Sequence, residues 1–232
     1  MPIQFLLILV KSNLRFFLPL IFHKFLLKIL GIRLSIKGRP SERKPLILIG
    51  NHCSYLDIII LGSVLPVCFV AKSEIKSWFL FGTLASLQNS IFIDRRNFKA
   101  LDSLKKISKN LSSNFAIIIF PEGTTNNGKR VLKFRASLFK IFEDDPTLGL
   151  QNFSLCYTHI NSMPLDNRMR PNIAWYGEMN LITHLKRLLH YSSIGAKLQF
   201  HPTIVPHGVT RKIISEESRE QVIKGINSLS NN

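Results

Sequence analysis

The sequence is poor in acidic residues. Aspartates and glutamates number 14 against 31 lysines and arginines, which gives the 232 residues a formal net charge of +17. A surplus of this size favours a negatively charged partner, and nucleic acid and an anionic membrane surface are the obvious ones. The basic residues alternate with apolar segments instead of forming a tail, and no recognisable nucleic-acid-binding module is present. The pattern therefore favours a membrane surface over nucleic acid.

Cysteines are scarce as well, and they are far apart. Cys53, Cys68 and Cys156 are odd in number and mostly flanked by apolar residues. This spacing excludes a disulfide framework and matches no metal-ligand motif. The sequence therefore predicts free thiols in a reducing compartment and no bound metal.

Long uninterrupted apolar runs are missing from the first 35 residues, although this segment is rich in Leu, Ile and Phe. The run from Leu14 to Ile32 is broken by Arg15, Pro19, His23, Lys24 and Lys28. No positive charge precedes the first apolar run and no small-residue cleavage site follows it, which argues against a secretory signal. We predict that residues 1–35 form an amphipathic helical segment that anchors the chain by lying in the membrane surface. The alternatives are a single bent span and an amphipathic helix packed on the domain.

Short apolar runs alternate with helical patterns through residues 36–232, which indicates one α/β domain. The strand candidates are Leu46–Ile49, Val67–Ala71, Ser90–Ile93, Phe115–Phe120, Ser154–Tyr157, Ile173–Trp175 and Lys197–Pro202. Apolar residues recur at helical spacing within 98–111, 185–189 and 222–229. We predict a mixed, largely parallel sheet flanked by helices.

A histidine and an aspartate follow the first of these strands. The run Leu46–Ile49 is typical of a strand buried on both faces, so His52 would leave the sheet where ligand crevices form. In one helix, positions 52 and 57 would point about 140° apart, so the two side chains meet only if the chain turns between them. We predict that His52 lies in a loop and that Asp57 lies in the first turn of a helix beginning near Ser54, its N-cap. Such a pair can take a proton from a hydroxyl; the alternative is a loop histidine beside a helix-capping acid.

Two cationic side chains follow other predicted strands. Arg95 comes directly after a buried run, and its planar guanidinium suits a phosphate or a carboxylate. A solvated turn in which Asp94 pairs with Arg95 is the simpler alternative. Lys72 follows the strand Val67–Ala71, and it can pair with Glu74 or reach the same anion as Arg95.

The loop after Phe115–Phe120 is rich in glycine, hydroxyls and amides, and its donors can cradle an anion. Gly123 to Lys129 matches the first part of a phosphate-binding loop, with four residues between glycines and then a lysine. Arg130, however, stands where a Ser or Thr must ligate magnesium. No helical pattern begins there either, so the sequence argues against nucleotide binding.

Taken together, these clusters resemble a known family. The segments that carry the resemblance are Asn51-His52-x-Ser54-x-x-Asp57, Phe92-Ile93-Asp94-Arg95 and Phe120-Pro121-Glu122-Gly123-Thr124. In order and spacing they are similar to the boxes of the glycerolipid acyltransferase superfamily, whose founding activity is lysophosphatidic acid acyltransferase. Further similar segments extend the resemblance over roughly residues 45–205.

The resemblance implies a mechanism and a site. His52, held by Asp57, would take the proton from the free hydroxyl of a lysophospholipid as that oxygen attacks an acyl thioester directly. Arg95, with Lys72 as a helper, would hold the acceptor phosphate. The residues that would shape the acceptor site are Glu122, Gly123 and Thr124. The resemblance also implies acyl carrier protein or coenzyme A as the thioester carrier, no other cofactor, and a location on the cytoplasmic face of the bacterial inner membrane.

The sequence departs from the family pattern at several positions. Gln151 is followed by Asn152 where a proline is usual, and Lys133 stands where relatives commonly have a proline. Thr125 follows Thr124 where lysophosphatidate enzymes commonly have arginine, and the threonine form also occurs in relatives that acylate lyso-ornithine lipids. We therefore expect acylation of lysophosphatidic acid to phosphatidic acid, with another lysolipid such as lyso-ornithine lipid as the alternative acceptor.

Two other enzyme classes remain open from the residues alone. A hydrolase that uses Cys53 or Ser54 with His52 predicts a covalent intermediate. A phosphate-loop enzyme predicts saturable nucleotide binding.

Overall fold

In the computed structural model, which describes residues 2–78, 80–93, 115–145 and 147–230, an eight-stranded sheet organises the chain. The strands are β1 (Ile32–Lys37), β2 (Leu46–Gly50), β3 (Val67–Lys72), β4 (Ile91–Ile93), β5 (Ala116–Ile119), β6 (Gly149–Ile160), β7 (Met163–Pro164) and β8 (Ile194–Ile204). Their order is β1-β8-β6-β2-β5-β3-β4, with β7 beside β6. Strand β6 runs antiparallel to β7 and β8, whereas the other pairs are parallel. The predicted mixed, largely parallel sheet is confirmed.

Helices cover both faces of this sheet. They are α1 (Pro2–Leu9), α2 (Phe17–Ile29), α3 (Leu56–Val64), α4 (Phe81–Leu87), α5 (Lys140–Asp144), α6 (Leu181–Leu188) and α7 (Arg211–Ser230). One core contains α3 and the end of α2, and the other contains α5 and α7. Strands β2 and β5 are buried along their whole length because both faces are covered, which explains their unbroken apolar sequences. The helix expected within 98–111 lies outside the described residues.

Strand β6 is longer than the predicted Ser154–Tyr157 because its polar residues are buried and hydrogen-bonded. The Gln151 side chain donates to the carbonyl oxygens of Arg39 and His201, and Asn152 donates to Gln221. These contacts satisfy the side-chain NH₂ groups of both residues, which would otherwise be costly inside a sheet. A prediction based on apolar runs therefore misses both ends of this strand.

The strand predicted at Ile173–Trp175 is wrong. This segment follows a 3₁₀ turn at Arg170–Asn172, and its backbone N–H groups donate to Arg170 and to Cys53 instead of to a strand. Ile173 and Ala174 are buried, so the apolar run covers a loop and adds no strand. No strand was predicted at β1, which pairs with β8. The predicted domain boundary at residue 35 lies within this strand.

The N-terminal helices combine a packed face with an exposed apolar face. On the packed face, His23 of α2 lies against Gly62 of α3, where a Cβ atom would overlap the imidazole, and burial lowers the pKa of His23 to about 4. The exposed side chains of α1, α2 and the turn between them include Phe5, Leu6, Leu9, Leu14, Ile21, Phe25 and Ile29. Within the described residues, no helix combines the length and the apolar character needed to cross a bilayer.

Candidate active site

The histidine and the aspartate that the sequence singled out meet at the end of β2. His52 lies in the loop between β2 and α3, and its Nδ1 is 2.8 Å from Oδ2 of Asp57, in the first turn of α3. The same oxygen accepts hydrogen bonds from the backbone N–H groups of Cys53 (2.8 Å) and Ser54 (3.1 Å). The loop placement of His52 and the turn between the two residues are as predicted.

The local sequence explains this geometry. An acid three residues after Ser54 folds back onto the Ser54 N–H, which is one half of a capping box. Helix α3 begins at Leu56 and its N-cap is Tyr55, so the predicted N-cap at Ser54 is wrong by one residue. The Ser54 hydroxyl instead donates to the carbonyl of Ile173 at 2.7 Å. The turn before α3 is therefore held by the helix on one side and by the segment after the 3₁₀ turn on the other.

Asn51 continues the sheet where β2 leaves it. Its side-chain amide donates to the Leu155 carbonyl (2.8 Å) and accepts from the Leu155 N–H (2.9 Å) on β6. Gly50 precedes it, and a Cβ atom there would overlap the ring of Phe153. Side-chain pairing replaces backbone pairing at this point, so the loop that carries His52 is fixed to the sheet.

The tautomer of His52 follows from its partner. Asp57 Oδ2 accepts from two backbone N–H groups, so it is an acceptor toward the ring as well, and Nδ1 carries the proton. Nε2 is then the basic nitrogen. The ring stacks on Phe120 with centroids 3.9 Å apart and planes 12° apart, which fixes its orientation. The arrangement can accept a proton from a hydroxyl placed beside Nε2.

Glu122 ties a second loop to the first. Its Oε1 accepts from the backbone N–H of His52 at 2.8 Å, and its Oε2 accepts from Asn126 (2.6 Å) and from the Leu132 N–H (2.9 Å). Burial raises the pKa of Glu122 to about 7, and the negative charge of Asp57 acts in the same direction. Glu122 is thus a clamp between the His52 loop and the loop that follows β5.

The other predicted binding residues lie at different distances from this pair. Gly123 is buried beside Glu122 with φ +78°, a conformation that favours glycine, and a Cβ atom would lie 2.6 Å from Nε of Arg135. Thr124 is exposed in the same loop. Lys72 ends β3, two strands away from β2 and at the same edge of the sheet. Arg95 lies outside the described residues.

Cys53 and Ser54 are the side chains beside His52 that could act as nucleophiles, and both are buried. Burial raises the pKa of the Cys53 thiol well above its ordinary value, and the charges of Asp57 and Glu122 add to this effect. The Ser54 hydroxyl is buried and donates to a carbonyl. Neither group is prepared for nucleophilic attack. In the part of the chain that the structure describes, no cluster of three or more His, Cys, Asp or Glu could hold a metal ion.

The loop after β5 does not continue as a phosphate-binding loop. Residues 129–135 form no helix, and the next regular element is a 3₁₀ turn at Ala136–Phe139. A phosphate-binding loop requires a helix whose N-terminus faces the phosphates. The segment after Gly128 therefore lacks the helix of a phosphate-binding loop.

Two residues of this site were not identified from the sequence. The Tyr157 hydroxyl on β6 donates a hydrogen bond to Asp57 Oδ1 at 2.6 Å, and the Asn126 side chain donates one to Oε2 of Glu122. Tyr157 lies 100 residues from Asp57 in an apolar strand, so only the pairing of β2 with β6 brings the two together.

Comparisons with known proteins agree with the predicted resemblance. The family model described as Acyltransferase matches residues 32–148. A lyso-ornithine lipid O-acyltransferase of Brucella abortus (strain 2308) is 33% identical over 229 residues, which cover 95% of this chain and 86% of that protein. The protein of the same description from Rhizobium meliloti (strain 1021) is 36% identical over 207 residues, 86% of this chain and 71% of that protein.

Two relatives of a second description are similar at lower sequence identity. A 1-acyl-sn-glycerol-3-phosphate acyltransferase of Neisseria gonorrhoeae is 28% identical over 166 residues, 70% of this chain and 62% of that protein. The crystal structure of the 1-acyl-sn-glycerophosphate (LPA) acyltransferase PlsC from Thermotoga maritima has a TM-score of 0.65. It covers 92% of this chain and 79% of that chain at 19% identity, so it supports the fold alone.

Proposed function

We propose that this chain, which belongs to the Acyltransferase family, moves a fatty acyl group from a thioester to the free hydroxyl of a lysolipid. That the chain is an acyltransferase follows from the family. The observation that carries the mechanism is the His52–Asp57 contact of 2.8 Å, which leaves Nε2 of His52 as an oriented base at the edge of the sheet.

The reaction balances without a covalent enzyme intermediate. The hydroxyl oxygen of the acceptor attacks the thioester carbonyl carbon, the new C–O bond forms and the C–S bond breaks. Nε2 of His52 takes the hydroxyl proton and returns it to the thiolate that leaves. Asp57 orients the ring and stabilises the imidazolium while it exists. Neither a metal nor a further cofactor takes part in this scheme.

For the acceptor we propose lyso-ornithine lipid first and lysophosphatidic acid second. The Brucella and Rhizobium proteins named for lyso-ornithine lipid match 95% and 86% of this chain, whereas the Neisseria gonorrhoeae protein named for lysophosphatidate matches 70% at lower identity. The pair Thr124-Thr125 is in keeping with the first group. An ornithine headgroup carries a carboxylate and an amine, and lysophosphatidic acid carries a phosphate, so the anion is common to both.

The acceptor is tested with purified protein in detergent, one acyl-carrier-protein donor and a panel of lysolipids. We expect lyso-ornithine lipid to give the highest kcat/KM, and His52→Ala to abolish turnover with every acceptor. A clear preference for lysophosphatidic acid would reverse the order of the two acceptors. No acylation of any lysolipid by the wild-type protein would refute the proposed function.

The residues proposed to hold the acceptor anion are Arg95 and Lys72. Each is tested by substitution with alanine, with Lys186 on the exposed face of α6 as the matched control. We expect Arg95→Ala to raise the KM for the acceptor and to leave the KM for the donor unchanged. An unchanged acceptor KM would remove Arg95 from this role.

For the acyl donor we propose a thioester of acyl carrier protein or coenzyme A, both of which are anionic. Lys129, Arg130 and Lys133 are exposed in the loop that also holds Glu122, and their charge suits such a donor. A comparison of kcat/KM for the two donors at low and high salt tests this proposal. Donor KM values that do not change with salt would argue against steering by these residues.

We further propose that the apolar side chains of α1 and α2 lie in an anionic membrane surface on its cytoplasmic face. Phe25 is 58% exposed and Ile29 is 54% exposed, and Lys24 and Lys28 alternate with them, as in interfacial helices. Spin labels at Phe25 and Ile29 should be shielded from an aqueous relaxing agent by lipid vesicles. A label at Ile213, an exposed apolar residue of α7, is the control; equal aqueous exposure at all three positions would exclude this anchor.

A further inference from the structure

The hydroxyl of Tyr157 is the partner of Asp57 that comes from the sheet. It donates to Oδ1 at 2.6 Å, whereas His52 Nδ1 and the N–H groups of Cys53 and Ser54 share Oδ2. Those other donors belong to the same loop and turn as Asp57. The Sγ atom of Cys53 is 4.0 Å from Oδ1, so it is at best a weak donor there.

The position of the Tyr157 hydroxyl is held by the sheet, because its backbone is part of β6. It lies in β6 opposite Ala196 of β8, beside an irregularity of register that ends at His159. Tyr157 is 6% exposed and Asp57 is fully buried. Burial raises the pKa of Tyr157 well above its ordinary value, with the charge of Asp57 as the second cause, so the hydroxyl keeps its proton and remains a donor.

We propose that Tyr157 is a positioning residue for the catalytic base, which holds the Asp57 carboxylate so that Oδ2 faces His52. A carboxylate that is bonded through one oxygen only can turn about its bond to Cβ. The Tyr157 bond to Oδ1 prevents this turn and shares part of the negative charge. The inference rests on the proposed role of His52 as the base.

Other charged and titratable groups surround the pair. Those that interact with Asp57 or Tyr157 are His52, Cys53, Tyr55 and Glu122, and Cys156 and Arg170 act on the neighbouring Cys53. The Tyr157→Phe substitution leaves all of them in place. A change in the pH dependence of turnover can therefore be assigned to the lost hydroxyl.

The first test compares Tyr157→Phe with Ser154→Ala. Ser154 lies on the same strand, and its buried hydroxyl bonds to His201 and to the Val222 carbonyl on the opposite face of the sheet. Both variants lose one buried hydroxyl, but Asp57 loses a partner in Tyr157→Phe alone. We expect kcat to fall by about 10-fold or more in Tyr157→Phe, the usual effect of losing a hydrogen bond to a charged group. Both KM values should stay within about twofold of wild type, because Tyr157 is buried and its hydroxyl is bonded to Asp57.

Two readouts separate positioning from a structural effect. In Tyr157→Phe the acid limb of the pH–rate profile should move to higher pH, because the unshared carboxylate makes the ring a stronger base. A difluorotyrosine at position 157, which is a stronger donor of similar size, should move the limb to lower pH. The downfield proton resonance of the His52 Nδ1–H should shift in both variants and stay unchanged in Ser154→Ala.

The resonance is measured without substrate, so it tests the inference even if the proposed acceptor is wrong. If the resonance and the acid limb of Tyr157→Phe match those of Ser154→Ala, Tyr157 is structural and the proposal fails. If Tyr157→Phe does not fold, the protein with difluorotyrosine at position 157 is the test. An acid limb of its pH–rate profile that does not move from the wild-type position would also overturn the proposal.

Discussion

Two histidine clusters lie on opposite faces of strand β6, and they contain similar chemical groups. On one face His52 is bonded to Asp57, which is bonded to Tyr157 on β6. On the other face His201 is 2.8 Å from the hydroxyl of Ser154, which is also bonded to the Val222 carbonyl of α7. A search for a base beside a hydroxyl would select both clusters.

Their surroundings differ in ways that decide what each can do. His52 is half-buried at the edge where the parallel strands end, and its second ring nitrogen is basic. His201 is buried beneath α7, and burial lowers its pKa, so it is held neutral inside the core. Exposure at the sheet edge and an acid partner therefore distinguish His52 from the packed His201. The identity of the residues alone does not.

Replacing each histidine with alanine should separate the two clusters most clearly. We expect His52→Ala to lower kcat by about 10³-fold, within the range for loss of a general base, with the native fold retained. His201→Ala should keep kcat within about twofold while losing about 1–3 kcal/mol of unfolding free energy, because the Ser154 hydroxyl loses a buried partner. Steady-state kinetics and denaturant melts measure both. Equal losses of turnover in the two variants would contradict the distinction.

The unfolding free energy should depend on pH through Glu122, the residue that clamps the His52 loop. Its pKa in the folded protein is raised from 4.5 to about 7, so its contribution to stability is complete below pH 4.5 and is lost as the pH rises through 7. The loss amounts to at most about 3 kcal/mol. Denaturant melts across this pH range should show the decline in wild type.

The control for Glu122 uses an exposed carboxyl. In Glu122→Gln the decline between pH 4.5 and 7 should be smaller, even if the overall stability is lower because the amide meets the donors of Leu132 and Asn126. In Glu178→Gln, where the side chain is exposed, the decline should match wild type. If the Glu122 variant keeps the full decline, another group causes it.

The sequence predicted the contact between His52 and Asp57 because its signals are local. A buried strand, a polar turn and an acid in the first turn of a helix lie within 12 residues, from Leu46 to Asp57. The hydrogen bonds from the turn N–H groups to Asp57 bring the two side chains together. The strands β2, β3, β4 and β5 were found for the same reason, since their apolar runs are continuous. Glu122 was found through the family resemblance.

What the sequence missed depends on distant contacts. Tyr157 approaches Asp57 only because β6 lies beside β2 in the sheet. The polar residues of β6 are stabilised by partners from the segment 39–43, from β8 and from α7, so the ends of this strand cannot be read from an apolar pattern. The segment 173–175 has the composition of a strand, but it covers the His52 loop, and no local pattern distinguishes the two outcomes.

A smaller effect is expected at Gly225, in the second cluster. A Cβ atom there would overlap the Ser154 hydroxyl and lie 2.7 Å from Nε2 of His201. Gly225→Ala should therefore cost about 1–3 kcal/mol of unfolding free energy through overpacking, and kcat at a permissive temperature should stay within about twofold. Gly208→Ala is the contrasting variant: a Cβ atom meets nothing within 4 Å there, but φ is +69°, so any loss of stability comes from backbone strain and not from overpacking. A loss of turnover without a loss of stability would mean that the second cluster communicates with the active site.

The smallest effect is expected at Cys53, which tests whether the His52 cluster contains a nucleophile. Because burial raises the pKa of this thiol well above its ordinary value, the group stays neutral and Cys53→Ala should change kcat by less than about threefold. Cys68→Ala, on a buried thiol bonded to the Asn89 carbonyl, provides the matched control. Mass spectrometry of the wild-type protein with excess donor should reveal no acyl adduct on Cys53. An acyl adduct on Cys53, or a loss of activity as large as that of His52→Ala, would mean that Cys53 and His52 form a covalent catalytic dyad. The nucleophile, and not the acid partner, would then distinguish this cluster from the Ser154–His201 pair.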